Sequence, residues 1–206
     1  MQLGYNLNVE NMLTELIRDN DDVIDAIREE QIEQYTRLLK SQRNPAFLDL
    51  LSVLCSVDGA AISVNQKKLT DILLVKDNLM YRMVDGPNGE ILVLIPGEAN
   101  PLALKQLHNE AKSESSPRHL QLQFLEKQLD LFGKLCLQRC THAIEVISSK
   151  YLRWEQVRLC QRVSLCLLLG SSYVYVTEKL TGILFRCSTV SRIPRCRLAY
   201  GKCTLT

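Results

Sequence analysis

RNPAFLDLLSVLCSVDGAAISVNQKKLTDILL, residues 43–74, reads as two short apolar helices joined by a bend of small residues. Pro45 suits the first helical position, with Asn44 as cap, because the first turn has no use for the amide hydrogen that proline lacks. Phe47, Leu50, Leu51, Leu54 and Cys55 recur at helical spacing and form one apolar stripe. Gly59 and the alanines beside it let the chain reverse, and Ser63 with Gln66 reads as a capping box. Val64, Leu69, Ile72 and Leu73 give the second helix its own buried face. A hairpin of this kind cannot bury its apolar surface alone. It must stack on similar neighbours, which makes it a scaffold unit without an evident reactive group.

Working outward, helical signals fill most of the first 160 residues. Leu7, Met12, Leu13, Leu16 and Ile17 line a first helix capped by Asn8, Asp21 to Ile27 make a short second, and Ile32, Tyr35, Leu38 and Leu39 line a third. Helix pairs in units of about 40 residues are the signature of armadillo or HEAT stacks, although no repeat is legible here. Residues 79–96 break the pattern. LMYRMV and ILVLIP flank DGPNGE, whose Asp85-Gly86 and Asn88-Gly89 pairs predict a β-hairpin inserted between helices. Asn100 and Pro101 restart a helix through about Lys112, and Ser116 caps the next, which Pro117 opens. Leu122, Leu125, Leu129, Phe132, Cys136, Cys140, Ala143 and Ile147 then keep helical spacing, implying one buried stripe with a break near Thr141. After about Leu159 the consistency fades: SSYVYVTEKL and TGILFRC are strand-like, and SRIPRCRLAYGKCTLT has no period. The expected fold is mainly α, armadillo- or HEAT-like stacked helical pairs with one inserted β-hairpin, spanning 1–159. An irregular tail of uncertain fold follows over 160–206.

Composition bounds the function. A 206-residue chain makes one sizeable domain, burying roughly 70% of its unfolded surface. Hydrophobic content of 46% and charge of 23% are ordinary for a globular protein. The longest uncharged run, Val163 to Thr177, falls short of the roughly 20 apolar residues of a spanning helix. MQLGYNLNVENML lacks the basic start and apolar core of a secretory signal, so the eight irregularly spaced cysteines are expected as reduced thiols in the cytosol. The net charge of +2 hides an asymmetry. Residues 1–150 hold 16 Lys and Arg against 21 Asp and Glu, whereas residues 151–206 hold nine against two and five of the cysteines.

The order of these segments resembles the armadillo-type RIH domain of intracellular calcium-release channels, closer to the inositol trisphosphate receptors than to the ryanodine receptors. QLGYNLNVENMLTELIRDN at 2–20, RNPAFLDLLSVLCSVDGAAISVNQ at 43–66, NEAK at 109–112, FLEKQLDLFGKLCLQR at 124–139 and AIEVIS at 143–148 carry the likeness, which ends at about Leu159. The resemblance implies a fragment of a large tetrameric channel on the cytosolic face of the endoplasmic reticulum. Its partners would be other domains of the same channel and homotetramer neighbours. In that family the ligand sits between a β-trefoil and a helical half whose basic cluster precedes the point matching Gln2, so no ligand-contacting residue carries over to this chain. The implied role is regulatory: a scaffold passing conformational change from ligand site to pore. The other expectation, from a different class, is a freestanding armadillo-like adaptor that binds a protein or peptide.

The residues themselves offer little chemistry. Holding three phosphates takes several convergent Arg or Lys, each charge-assisted bond contributing roughly 1.5–3 kcal/mol. Arg37, Lys40 and Arg43, and separately Lys67 and Lys68, are the candidates; a solvated helix face is the expected role. Cys136, Cys140 and His142 have zinc-ligand chemistry, yet both cysteines fall on the buried stripe and a fourth ligand is not evident. Cys187, Cys196 and Cys203 form no CxxC pair. His108, His119 and His142 lie on or near amphipathic helices without a nucleophile and orienting acid, so no enzyme is expected. Gly86 and Gly89 fit a turn and not a phosphate loop. Asp21, Asp22 and Asp25 suit a helix start, and lack the alternating oxygen ligands of a calcium loop. Arg186, Arg192, Arg195, Arg197 and Lys202, with Tyr173, Tyr175 and Tyr200 nearby, make no stacking motif, so no nucleic acid is expected. Catalytic, cofactor-binding and metal residues are expected to be none.

Overall fold

The hairpin at 43–74 sits at the middle of a helical stack. The structure, a computed structural model, describes residues 9–77 and 79–152; expectations for the tail, including its cysteines and basic residues, lie outside the described residues. Helices α1 (Val9–Ile17), α2 (Asp21–Ala26) and α3 (Glu29–Gln42) lead into α4 (Ala46–Val53). A two-stranded ladder, β1 (Ser56–Val57) and β2 (Ala60–Ala61), precedes α5 (Ser63–Thr70), which continues as a π-helical turn over Asp71–Lys76. A three-stranded antiparallel sheet follows, β3 (Arg82–Asp85), β4 (Ile91–Leu94) and β5 (Leu102–Ala103), with β4 central. Helices α6 (Leu104–Glu110), α7 (Pro117–Leu135) and α8 (Thr141–Lys150) complete the described chain. The fold is mainly helical with a β insertion, as expected.

The decisive stretch folds for the reasons its residues give. Asn44 Oδ1 accepts from the Ala46 amide at 3.0 Å, and Pro45 already has helical dihedrals of φ −55° and ψ −30°. Phe47, Leu50, Leu51, Leu54 and Cys55 are all fully buried, and α4 packs against α1, α3 and α7. Asp58 and Gly59 both take positive φ (47° and 78°), the conformation that lets a two-residue turn follow the strand twist. Asp19 Oδ1 accepts the Asp58 amide at 2.9 Å, tying this turn to the end of α1.

Three local expectations are corrected. The apolar stripe of α1 is rotated: Glu10, Thr14 and Ile17 point inward, whereas Met12 and Leu16 are 56% and 58% exposed. The polar pair sets that rotation. Asn44 Nδ2 donates to Glu10 Oε1 at 2.7 Å, and the Thr14 hydroxyl satisfies itself on the Glu10 carbonyl at 2.7 Å. Second, Ser63 and Gln66 form no capping box, and Val64 is exposed. Gln66 is turned inward for a different task described below. Third, Leu102–Ala103 is not helix but strand, pairing Leu102 with Val93 and Ala103 with Leu92 before α6 begins. Pro101 biases Asn100 away from helical dihedrals, and pairing buries Leu102 against the sheet.

The long stripe breaks near Thr141, as expected, and runs over two helices. Ser116 Oγ caps α7 by accepting from the Arg118 amide, and Leu122, Leu125, Leu129, Phe132 and Cys136 are buried as expected. Gln138 and Arg139 then adopt left-handed φ of 52° and 64°, so α8 turns back to pack on α5 and α7. Neither residue advertises such a turn, because the left-handed region is read from glycine or asparagine. The hairpin over 79–96 forms with Arg82 opposite Leu94 and Asp85 opposite Ile91. Gly86 is required there by space: a Cβ would stand 2.7 Å from Leu92 Cγ.

Candidate functional site

Three buried residues tie elements together: Gln66 joins α5 to the end of α7, Gln128 joins α7 to the start of β3, and Tyr151 joins the end of α8 to the π turn and to β3. At the end of α7 the carbonyls of Lys134 and Leu137 have lost their helical partners, as helix ends do. The Gln66 side-chain amide donates to both, at 2.9 and 3.0 Å, from a position 1% exposed on α5. Gln128, also 1% exposed, does the same for the sheet: its Nε2 donates to the Tyr81 carbonyl at 2.8 Å, and its Oε1 accepts the Tyr81 amide at 2.7 Å. The side chain of α7 thus imitates a neighbouring strand. Tyr151 is the third link. Its hydroxyl donates to the Leu74 carbonyl at 3.0 Å, its own carbonyl accepts the Met83 amide at 3.0 Å, and its ring meets Phe132 edge-on.

The Gln128 bonds and the Tyr151 carbonyl bond lie along one edge of β3. Residues Arg82, Val84 and Gly86 face β4, as the Gly86 amide donating to the Glu90 carbonyl indicates, so Tyr81, Met83 and Asp85 turn their backbone groups away. Beside that edge, the π turn, β3 and the end of α8 enclose a cleft of about 470 Å³, lined by Leu74–Asp77, Arg82–Val84 and Ser149–Leu152. Lys76, Arg82 and Lys150 are exposed on its walls, and no ion pair joins them to another described residue. Asp77, the carboxylate of the lining, is bound by Lys40 at 2.5 Å.

The basic residues singled out from sequence do not converge. Lys40 holds Asp77, Lys68 lies 3.7 Å from Glu29, and Arg37 Nε donates to the Glu33 carbonyl of its own helix. Arg43 reaches the Pro96 carbonyl instead, and Lys67 is exposed on α5. Asp21, Asp22 and Asp25 are exposed around α2, whose cap is Asn20. Among the described residues no three His, Cys, Asp or Glu side chains gather as metal ligands. Cys136 is buried, Cys140 is half-buried, and His142 Nε2 instead meets Asp71 Oδ1 at 2.6 Å, joining α8 to the π turn. Burial pushes the Cys55 thiol up to about 12, which leaves it protonated and a poor nucleophile. His119 Nδ1 contacts the Ala111 carbonyl at 3.0 Å and its Nε2 contacts Gln123 at 3.0 Å, so its ring serves as a link between α6 and α7. Burial lowers the pKa of His108, with Lys112 adding to the effect.

Where α7 begins, Arg118 Nη1 donates to both oxygens of Glu98, at 2.7 and 2.9 Å, while Gln121 Nε2 donates to Glu98 Oε1 at 2.7 Å. The Arg118 bond holds the Glu98 carboxyl below its ordinary value of 4.5. A carboxyl lowered in the folded state stabilises it above the unfolded value, and that stability is lost as pH falls through the folded one. Glu98→Gln is therefore expected to unfold more easily in urea at neutral pH, by under about 1 kcal/mol because the cluster is partly solvated. The difference from wild type should vanish well below pH 4.5.

Gln128 and Tyr151 were missed by sequence reasoning, and Gln66 was given the wrong task. For Gln128 a signal existed: it is a lone polar residue at a core position among Phe124, Leu125, Leu129 and Phe132. The arrangement has no nucleophile set beside a base, and its buried polar groups bond backbone to side chain across elements. It is built to hold parts together.

Residues 1–84 match the family model of the RIH domain. Over 72 residues, 34% of this chain and 2% of the relative, the sequence is 31% identical to inositol 1,4,5-trisphosphate receptor-like protein A of Dictyostelium discoideum. It is 28% identical over 147 residues to inositol 1,4,5-trisphosphate receptor itr-1 of Caenorhabditis elegans, covering 70% of this chain and 5% of that protein. The chain thus spans a small fraction of the length of these receptors. No helix among the described residues is long and apolar enough to cross a membrane.

Proposed function

With the likeness to inositol trisphosphate receptors and their RIH domain as premise, we propose that this chain is a regulatory, non-catalytic segment of an intracellular ligand-gated calcium-release channel. It stands on the cytosolic face of the endoplasmic reticulum, against other domains of the same channel and of its homotetramer neighbours. Residues 1–159 are assigned to the RIH-type unit. Ligand closure elsewhere in the channel shifts this unit, which carries the displacement toward the pore. The observation supporting that role is the set of buried bonds from Gln66, Gln128 and Tyr151. A relay must not yield internally, and each of these bonds spans two elements whose relative sliding would strand a buried polar group.

The test is a chimera of the nematode receptor in which the aligned stretch is replaced by residues 9–152 of this chain. Ligand-evoked calcium release from microsomes is expected to persist, and to be lost when the same stretch is replaced by a Gly/Ser linker of equal length. Equal release from both chimeras contradicts the relay.

A further inference from the structure

We propose that Ser116 is a phosphorylation site for a proline-directed serine kinase, and that its phosphate unfastens Glu98 from Arg118. Sequence and exposure together single out the acceptor. Of the six prolines in the chain, Pro117 alone follows a serine or threonine. It ends the loop between α6 and α7, in which Ser113, Glu114 and Ser115 are exposed and Ser116 is half-buried; Pro117 itself is exposed. Ser116 has φ −76° and ψ 134°, the extended backbone that a following proline imposes on its neighbour. Peptide-reading sites take extended and polyproline-type segments, so the acceptor is presented without rebuilding the loop. Ser113 and Ser115 are not followed by proline, and their hydroxyls hold each other at 2.8 Å. The transfer needs only a nucleoside triphosphate. The kinase's catalytic aspartate takes the Ser116 hydroxyl proton, the Oγ–phosphorus bond forms, the bond from the γ-phosphorus to the β-phosphate oxygen breaks, and the diphosphate leaves.

Charge decides what the phosphate then does. It brings about −1.5 to −2 charges to the residue that caps α7, where the helix amides favour an anion. Arg118, two residues on, binds both oxygens of Glu98 through Nη1, and its Nε lies 3.5 Å from Glu110 Oε2. The phosphate attracts the guanidinium and repels both carboxylates, so the two effects act in the same direction. Arg118 turns to the phosphate, and the loop between β4 and β5 that carries Glu98 keeps only the neutral Gln121 bond to α7. Phosphorylation therefore loosens one tie between the β insertion and the helices. The inference stands on these contacts and holds whether or not the chain is a channel relay.

The full chain, incubated with a proline-directed kinase of the mitogen-activated class and adenosine triphosphate, tests the site by peptide mass spectrometry. One phosphate is expected, on Ser116, and it should be lost in Pro117→Ala, which keeps the capping hydroxyl. Modification of the urea-unfolded chain but not of the native one overturns the proposal, as does modification of neither, or modification that Pro117→Ala leaves unchanged. Hydrogen exchange tests the release. The Glu98 amide donates to the Ile95 carbonyl at 3.0 Å and reports on that loop. Its exchange is expected to quicken at least tenfold on phosphorylation, whereas Arg118→Gln should start fast and gain nothing more. Unchanged or slower exchange in the phosphorylated wild type overturns the handover of Arg118.

Discussion

Gln128→Leu is expected to lower the stability of the chain by about 3 kcal/mol, a large share of the 5–15 kcal/mol typical of a domain. The side chain is nearly the right size, so the loss does not come from a void. It comes from the Tyr81 amide and carbonyl, which among the described residues Gln128 satisfies and which would remain in the core without partners. A stranded buried polar group costs about 1–3 kcal/mol, and two are created. The Tyr81 ring, 4.8 Å from that of Phe124, would lose its seating as well. Urea unfolding followed by circular dichroism measures the change, and a loss under about 0.5 kcal/mol would mean the bonds are dispensable.

Phe47→Ala should be more damaging, at about 3–5 kcal/mol, the range for deleting a fully buried aromatic side chain. Phe47 is completely buried on α4, the helix that touches α1, α3 and α7 at once, so no single neighbour can move to fill the space. Met12→Ala provides the contrast. Periodicity places Met12 on a buried stripe, yet it is exposed on α1, and its removal should shift stability by no more than about 0.5 kcal/mol. The pair separates apolar residues that build the core from those that merely share its spacing.

That contrast also explains what was legible from the amino acids. The α4–α5 hairpin, the β3–β4 turn and the Ser116-Pro117 start of α7 were readable because each combines a period with a cap or turn residue. Where only the period was present, the reading failed. The α1 stripe was rotated by a Glu10–Asn44 bond between residues 34 positions apart, which no local pattern contains. The α7–α8 break was legible near Thr141, but not its left-handed turn at Gln138 and Arg139, which form it without glycine. Gln66 shows the same limit most clearly. Its spacing from Ser63 fits a capping box, but the unpaired carbonyls at the end of α7 offered its amide two buried bonds instead. The absence of catalytic and metal expectations was likewise read from residue types alone.

Native-state hydrogen exchange on the full chain tests most directly whether the β insertion and the helices form one mechanical unit. The account predicts that the Tyr81 and Met83 amides, which bond to α7 and to Tyr151, open with the same free energy and the same denaturant dependence as core amides of α4 and α7 such as Leu51 and Leu129. Exchange of the two sheet amides through a separate, easier opening, several kcal/mol below that of the helices, would contradict it.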